Sequence, residues 1–348
     1  QLPDRIFQLQ ARAVRRAAEP LPLMQGENQT RAFFELHAEL PLAERYARAQ
    51  AYAMANEPAI VFPDEQLQGQ FYDGWNPSFY APDARWEGYT VHDIATPRVA
   101  AEVPELAELW GRHLDHADRT FVINEGISPG HVAWNYHWVL AEGVEPLLAK
   151  HRAAMATAKD DKAREYYQGA AICLQAILDW NDKHIEALQA ALDATDDPTA
   201  RERLIETIEV LARVPAQGAR TFREAVQSFY FIWLAVIYES PYGGNGPGRL
   251  DYFLWPYLEA ELAAGTITLE AAAELIAELF IKIDERIHIH DGNVNALVVG
   301  GVGPDGQDTV NPLTTVMLDA IEQLDLTHPS VYARVHDGSS PEYVDRCV

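Results

Sequence analysis

Three short stretches of this sequence combine glycines with side chains that can bind a ligand or transfer a proton. They are residues 128–137, which contain His131 and Asn135, the glycine-rich residues 243–248, and residues 288–291. A neutral imidazole at the start of a helix, the position predicted for His131, can hydrogen-bond a substrate hydroxyl or shuttle a proton. Alternatively, His131 caps or lines an internal loop. Spacing alone does not decide between this structural role and a role at the substrate.

The third stretch carries two histidines, His288 and His290, that resemble a metal-ligand pair. On a strand, such a pair points to one side, as in metal-dependent hydrolases. Here the pair ends a predicted helix, where side chains two positions apart diverge and imidazoles complement the helix dipole. Because no spacing supplies further ligands, we predict no metal site, and a metal-dependent hydrolase is the weakest functional alternative.

The glycine-rich loop could be mistaken for a phosphate-binding loop. It lacks the Gly-x-x-x-x-Gly-Lys-Ser/Thr spacing, and it follows a helix where phosphate loops follow a strand. Its glycines instead favour close backbone approach to a substrate, or a tight connection between helices.

Charge and cysteine content exclude several classes of protein. The 348 residues include 52 acidic and 27 basic side chains, a formal net charge of -25 that repels nucleic acid and anionic membranes. The two cysteines, Cys173 and Cys347, imply no disulfide framework, and Cys173 lies on an apolar helical face typical of a core residue. No signal-peptide pattern opens the chain, and its longest apolar run is shorter than the ~20 residues of a membrane span. We therefore predict a soluble, cytoplasmic protein.

Helical patterns dominate the first 240 residues. Helices broken by prolines reach Asn56, and a non-helical segment with short strands at 60–62 and 70–72 follows. Further predicted elements are a helix over 101–116, a strand at 120–123, and a long helix with a buried face from Tyr166 to Leu188. Thr221 and Glu224 form a capping-box pattern ahead of the apolar run 225–238, which predicts a helix buried on nearly every side.

The last hundred residues add a predicted parallel sheet. A helix over 249–264 ends at Gly265, and Thr268 caps the next helix. Two buried strands, 295–301 and 330–336, flank a helix over 311–323, which is the pattern of a βαβ unit. The helix that begins at Pro341 is cut off within two turns, so we expect the domain to continue beyond this chain.

Four stretches carry a family resemblance in their order and spacing. They are Gly130-His131 leading into VLAEG at 139–143, ARTFREAVQSF at 219–229, PGRLDYFLWPY at 247–257, and VGG at 299–301 with Asp308, Asn311 and Asp319-Ala320. From about residue 30 onward, the chain resembles the N-terminal half of glycyl radical enzymes of the pyruvate formate-lyase superfamily. It resembles the dehydratase, choline-lyase and arylacetate-decarboxylase branches more than pyruvate formate-lyase itself.

The resemblance implies an α/β fold: a helix-rich N-terminal part plus the first half of a ten-stranded barrel wrapped in helices. Residues 1–348 would be the N-terminal portion of one domain, with a helical and irregular part (1–125) followed by helices and the first barrel strands (126–348). In the family, one loop carries a cysteine that becomes a thiyl radical, usually in a Gly-Cys-x-Glu setting. A second loop carries the glycine that stores the radical, which an S-adenosylmethionine-dependent iron–sulfur activating enzyme installs.

Neither radical loop occurs in this chain. Cys347 has no Gly-Cys-x-Glu context, so we assign no catalytic residue and predict that the chain alone is inactive. No cofactor would bind it directly, because the glycyl radical would form in the missing half. The resemblance places His131, Asn135, Gly244 and Asn245 at the substrate. Arg249 and Asp251 are predicted to form a structural buried pair at a helix start.

The resemblance therefore predicts part of an anaerobic glycyl radical lyase or dehydratase that cleaves a C–O, C–N, C–S or C–C bond of a small polar substrate. Implied partners are the substrate, the activating enzyme, a complementary C-terminal half and, in the complete enzyme, a second subunit of a homodimer. The alternative is a non-catalytic truncated or split relative that acts as a binding module. Exposed apolar barrel strands would favour the fragment, because half a barrel leaves an open sheet edge.

Overall fold

The computed structural model describes residues 1–17, 28–29, 31–70, 100–104, 134–239, 246–285 and 295–348. The described helices are α1 (Asp4–Ala17), a short π-helix (Ala32–Leu36), α2 (Leu42–Asn56), α3 (Tyr136–Glu142), α4 (Val144–Ala156), α5 (Asp161–Ala194), α6 (Pro198–Leu211), α7 (Phe222–Glu239), α8 (Leu250–Ala264), α9 (Leu269–Asp284), α10 (Pro312–Leu324) and α11 (Pro341–Arg346), and the described strands are β1 (Ala296–Gly300) and β2 (Ser330–Arg334). None of the described helices is long and apolar enough to cross a membrane.

Helix α7 forms the centre of the core. Thr221 caps its start, where the hydroxyl oxygen accepts a hydrogen bond from the Glu224 amide at 3.1 Å. The Glu224 carboxylate accepts a hydrogen bond from the Arg220 amide at 2.6 Å. In a standard capping box it would accept from the amide of the capping residue itself, Thr221. The predicted helix start is confirmed, although the bond to Glu224 comes from the residue before the cap.

The apolar run of α7 is enclosed on nearly every side, as its sequence predicts. Phe229, Phe231 and Trp233 have no exposed side-chain surface, and Ile237 and Tyr238 are also buried. Neighbouring α3, α6, α8 and α9 contact this helix. A helix that is apolar all round is stable only in such surroundings, because any open face would expose large apolar area to water.

The long helix α5 confirms the predicted helical segment but only part of its buried face. Trp180 and Leu188 are buried. Tyr166 is 64% exposed, so its assignment to the buried face is wrong. Tyr166 lies in the second turn, where its ring contacts only the partly exposed Tyr167 among the described aromatic residues.

Strands β1 and β2 form a parallel pair joined through α10, which confirms the predicted βαβ unit. Gly248 extends this sheet on the other side of β1, since its amide donates to the Ala296 carbonyl at 3.1 Å and its carbonyl accepts from Val298 at 2.9 Å. The burial predicted for both strands holds only for β1. Strand β2 is partly to fully exposed, with Tyr332 at 50%, because among the described residues it pairs with β1 alone.

Residues 57–70 run without regular structure across α7 and α9, so the predicted strand at 60–62 is wrong. Their amides bind side chains in place of a neighbouring strand. The amides of Gln66 and Leu67 donate to the Glu278 carboxylate, and Gln68 donates to the Gln227 amide oxygen at 2.8 Å. The strand predicted at 70–72, the helix at 101–116 and the strand at 120–123 lie wholly or mostly outside the described residues.

Ion pairs fasten α1 and this irregular segment to α9. Lys282 binds Glu65, and both side chains are almost completely buried. Arg12 also binds Glu65 at 2.8 Å, and Arg5 binds Glu278 at 2.9 Å. Since breaking a buried pair leaves an uncompensated charge in the interior, these contacts fix the N-terminal helix on the core.

Candidate functional site

The described structure contains the flanks of the predicted substrate site. His131, Gly244 and Asn245 lie outside the described residues, as do His288 and His290 of the alternative metal site. The flanks are residues 134–137, at the start of α3, and residues 246–251, which lead into α8.

Asn135 is the one candidate substrate residue whose side chain is described. It is exposed and caps α3, because its Oδ1 accepts a hydrogen bond from the Trp138 amide at 3.3 Å. An asparagine cap stabilises a helix by about 1 kcal/mol, so this side chain already has a structural role. Its Nδ2 group has no hydrogen-bond partner among the described residues and can donate to a ligand.

The two flanks meet through Phe253. The ring centroids of His137 and Phe253 are 6.4 Å apart. On the other flank, a Cβ placed on Gly248 would lie 3.8 Å from the Phe253 ring. His137 of the first flank and Gly248 of the second therefore both lie close to the Phe253 ring.

Glycines at the end of the second loop are required by backbone contact with β1. A Cβ on Gly246 would come within 2.6 Å of the Ala296 backbone, so no other residue fits there without a shift. Gly248 has a positive φ of 69°, a conformation that favours glycine. In this described part, the glycines bring the loop against the strand itself.

Arg249 anchors the turn that follows β1. Its guanidinium donates to the carbonyl oxygens of Val302 and Gly300, each at 3.0 Å, and to the Thr309 hydroxyl at 2.5 Å. The group also lies over the Tyr252 ring, 4.7 Å from its centroid. Three donors of one planar group thus hold the end of β1 and the following turn in a fixed position.

Asp251 is completely buried beneath the same turn. Its Oδ2 accepts hydrogen bonds from the Gly300 amide at 2.7 Å and the Thr314 hydroxyl at 2.8 Å, while Oδ1 has no hydrogen-bond partner among the described residues. Burial raises the pKa of the Asp251 carboxyl, and these hydrogen bonds partly offset that effect. The predicted pair of Arg249 and Asp251 is wrong, because each side chain binds the β1 turn and no hydrogen bond joins the two.

The sheet has one covered face and one open face. Leu297 and Val299 point to the covered face, where both are fully buried in the helical core. Side chains alternate along a strand, so Val298 lies on the opposite face. Its partner in β2, Tyr332, lies on that same face and is half exposed. The residues of this open face are Ala296, Val298, Ser330, Tyr332 and Arg334. The sequence prediction gave both strands as buried and did not distinguish the two faces, although the alternation of side chains along each strand could have indicated them.

Chemical groups elsewhere in the described residues supply no second site. No cluster of three or more His, Cys, Asp or Glu side chains able to hold a metal occurs among them. Cys347 follows α11 and is partly buried close to the Tyr343 side chain, whose hydroxyl donates to the Val299 carbonyl at 3.1 Å.

Comparison with known proteins places the chain among radical enzymes. A family model described as pyruvate formate lyase-like matches residues 2–348. The isethionate sulfite-lyase of Bilophila wadsworthia is 29% identical over 74% of this chain and 33% of its own length. The (2S)-3-sulfopropanediol dehydratase of Klebsiella oxytoca is 27% identical over 87% of this chain and 40% of its own.

Solved structures show the same fold in longer proteins. A structure from Roseburia inulinivorans, described for 1,2-propanediol dehydration, superposes with a TM-score of 0.81 at 25% identity. A glycyl radical enzyme from Archaeoglobus fulgidus also gives 0.81, at 22% identity. Each match covers 99% of this chain and 49% of the other, so this chain spans about half the length of these structures.

Proposed function

The chain belongs to the pyruvate formate lyase-like family of glycyl radical enzymes, and we propose that it supplies the first half of the substrate pocket of a lyase or dehydratase. The observation that carries this proposal is the extent of the match, which runs through nearly the whole chain but only half of the related structures. The same match supports residues 1–348 as the N-terminal portion of one domain. It also supports the open sheet face as part of a larger barrel's interior.

We propose a small polar substrate that carries a hydroxyl group. The relatives' names support this, since they include a sulfopropanediol dehydratase and a trans-4-hydroxy-L-proline dehydratase. The reaction would cleave a C–O, C–N, C–S or C–C bond after a thiyl radical removes a hydrogen atom from substrate carbon. The thiyl and glycyl radicals would belong to the complementary half, and an S-adenosylmethionine-dependent iron–sulfur enzyme would install the glycyl radical.

Within this chain, His131 would bind the substrate hydroxyl and handle its proton. Asn135 would donate through Nδ2 while its Oδ1 continues to cap α3, and the backbone at Gly244 and Asn245 would approach the substrate closely. The chain on its own would be inactive. The complete enzyme would be a homodimer.

The test is an anaerobic assay of the protein from its native source, activated in its own lysate with S-adenosylmethionine. We expect an organic radical in the electron paramagnetic resonance spectrum, and consumption of at least one of isethionate, glycerol, 1,2-propanediol or trans-4-hydroxy-L-proline. Replacing His131 by alanine should lower turnover by about 100-fold or more while the radical signal remains. His137→Ala is the matched control, because His137 is exposed and lies on the same flank.

Two results would count against different parts of this proposal. Absence of any radical after activation would contradict radical catalysis as a whole. A normal radical with unchanged turnover in His131→Ala would leave the reaction class standing and remove His131 from the site.

A further inference from the structure

Arg334 ends strand β2 on the open face of the sheet and is exposed. Its guanidinium forms no hydrogen bond or ion pair with another residue that the structure describes. Two other arginines near the sheet are occupied, because Arg249 donates to the β1 turn and Arg346 pairs with carboxylates of α10. Arg334 is therefore a positive charge without a described counter-charge, in a chain whose formal net charge is -25.

A glycine of the β1 turn makes room for the Arg334 side chain. Gly300 is the register partner of Arg334, and Gly301 follows with a positive φ of 84°. A Cβ on Gly301 would lie 3.0 Å from Cβ, Nε and Cζ of Arg334. The arginine side chain therefore lies across the turn, and its guanidinium is located where both parallel strands reach their carboxyl ends.

The carbonyl oxygens of this turn already have other donors. The Gly300 carbonyl accepts a hydrogen bond from the Arg249 guanidinium at 3.0 Å. The Gly301 carbonyl accepts from both the amide and the hydroxyl of Thr309, each at 2.9 Å. The backbone over which Arg334 lies is therefore bound by other side chains and leaves the donors of this arginine unused.

The nearby carboxylate in the β1–α10 connection faces a histidine. Asp308 lies 3.4 Å from Nε2 of His336 and accepts a hydrogen bond from the Val310 amide at 3.0 Å. Nδ1 of His336 accepts from the Gly338 amide at 3.1 Å, so in the neutral ring Nε2 carries the proton and faces Asp308. Asp308 therefore contacts His336, and no carboxylate among the described residues pairs with Arg334.

The open face places an aromatic side chain beside this cation. Tyr332 precedes Arg334 by two positions, so both side chains lie on the same face, about 7 Å apart along the strand. A guanidinium stays protonated and presents a planar set of donors that matches the oxygens of an oxyanion. Inside a barrel, water no longer compensates this charge, so a bound oxyanion has to do so.

We infer that Arg334 binds an oxyanion group of the substrate, a carboxylate or a sulfonate, and that Tyr332 contacts the substrate's short carbon chain. The inference rests on the proposed function, because the open face becomes an interior surface only when the complementary half completes the barrel. It narrows the proposed substrate from a small polar molecule with a hydroxyl group to a small hydroxylated anion.

The experiment measures binding by titration calorimetry to the protein from its native source, before radical activation, with variants made in its native host. The probes are 3-hydroxypropanoate, isethionate and neutral 1,3-propanediol, which are similar in size. We expect at least one anion to bind at least about 10-fold more tightly than 1,3-propanediol. Arg334→Gln should weaken binding of that anion by about 100-fold and change the binding of 1,3-propanediol by less than about threefold. Absence of any preference for an anion would overturn the inference.

Two further variants control this measurement. Arg334→Lys keeps the charge but loses the planar set of donors, so anion binding should recover in part and stay about 10-fold weaker than in the wild type. Arg346→Gln is the matched control, because Arg346 is also exposed and already pairs with Asp319 and Glu322. It should leave the anion preference unchanged, and an equal loss of preference in Arg346→Gln would overturn the inference.

Thermal unfolding of Arg334→Gln without probes tests the competing partner, a carboxylate of the complementary half. We expect the melting temperature to stay within about 2 °C of the wild type, because Arg334 is exposed and unpaired among the described residues. A clearly lower melting temperature, with equal loss of binding for all three probes, would assign Arg334 to that carboxylate and overturn the inference.

The outcomes separate this inference from the proposed function. A protein that forms the radical and consumes 1,2-propanediol, but binds the anionic probes equally with and without Arg334, would overturn the anion site only. An anion preference that depends on Arg334 in a protein without a radical would support the anion site and remove the radical function.

Discussion

Helix α7 and strand β2 are both apolar segments that the sequence assigns to a core, yet only the helix is enclosed. Trp233 in α7 has no exposed surface, whereas Tyr332 in β2 is half exposed. Every neighbour that covers α7 belongs to this chain, whereas the open edge of β2 has no neighbour among the described residues. Among the described residues, the helical core is therefore enclosed, whereas the sheet is open at β2.

The largest expected effect contrasts one aromatic residue from each region. Trp233→Ala should lower the free energy of unfolding by about 3–5 kcal/mol, because it opens a cavity in a closed core. Tyr332→Ala should cost less than about 1 kcal/mol in residues 1–348, since half of the side chain is already in water. Urea unfolding of both variants measures the difference, and equal losses would contradict an open sheet.

A buried histidine in the closed region should make stability depend on pH. His184 is enclosed beside Trp180 and Phe231, and burial lowers its pKa to about 4. The unfolded chain takes up a proton near pH 6.5, so stability is complete above that value and is lost as pH falls towards 4, by roughly 3 kcal/mol.

His184→Gln should flatten this pH dependence in urea unfolding between pH 4 and 6.5. His151→Gln is the matched control. Its ring contacts the Leu147 carbonyl at 2.8 Å, as the His184 ring contacts Trp180, but His151 is only partly buried. A slope that persists in His184→Gln would show that another group causes the pH dependence.

Glycines test how tightly the end of β1 is packed. Gly300 has a positive φ of 64°, and a Cβ there would lie 2.4 Å from the Tyr343 hydroxyl, so Gly300→Ala should cost more than about 2 kcal/mol. Gly265 has a similar φ of 69° at the end of α8 with open space around it, so Gly265→Ala should cost about 1 kcal/mol. Thermal unfolding compares the two, and equal costs would mean that Tyr343 does not pack against β1.

The smallest effect concerns Asp251, whose pH dependence has the opposite sign to that of His184. Burial raises the folded-state pKa of this carboxyl above its ordinary value of 3.8, so the folded protein retains the proton longer than the unfolded chain. Its contribution to stability is complete below pH 3.8 and is lost as pH rises through the raised pKa. Asp251→Asn should therefore gain stability relative to the wild type as pH rises above 3.8, because the amide has no proton to lose. A stability difference that does not change with pH would show that Asp251 is ionised as easily folded as unfolded.

Local signals in the sequence predicted the closed region well. The threonine caps at Thr221 and Thr268, the glycine stop at Gly265 and the all-round apolar run of α7 depend on residues within one or two turns of each other. The family resemblance correctly predicted a match to the N-terminal half of glycyl radical enzymes, because motif order carries information that periodicity does not, and the ten-stranded barrel stays a prediction.

Long-range contacts explain what the sequence did not predict. Residues 57–70 follow an irregular path because Glu278 and Gln227, more than 150 residues away, bind their amides. The exposure of β2 depends on whether a neighbouring strand is present, which the composition of β2 does not reveal. Of the predicted substrate residues, only Asn135 lies in the described structure, so the roles of His131, Gly244 and Asn245 stay predictions.

The most direct test of the central claim is the intact mass of the protein from its native source, measured together with any chain that co-purifies. The account predicts a single chain, or a complex of two different chains, with a total mass near twice 38.9 kDa. A chain of 38.9 kDa without a complementary partner would contradict the account. That result would favour a non-catalytic binding module.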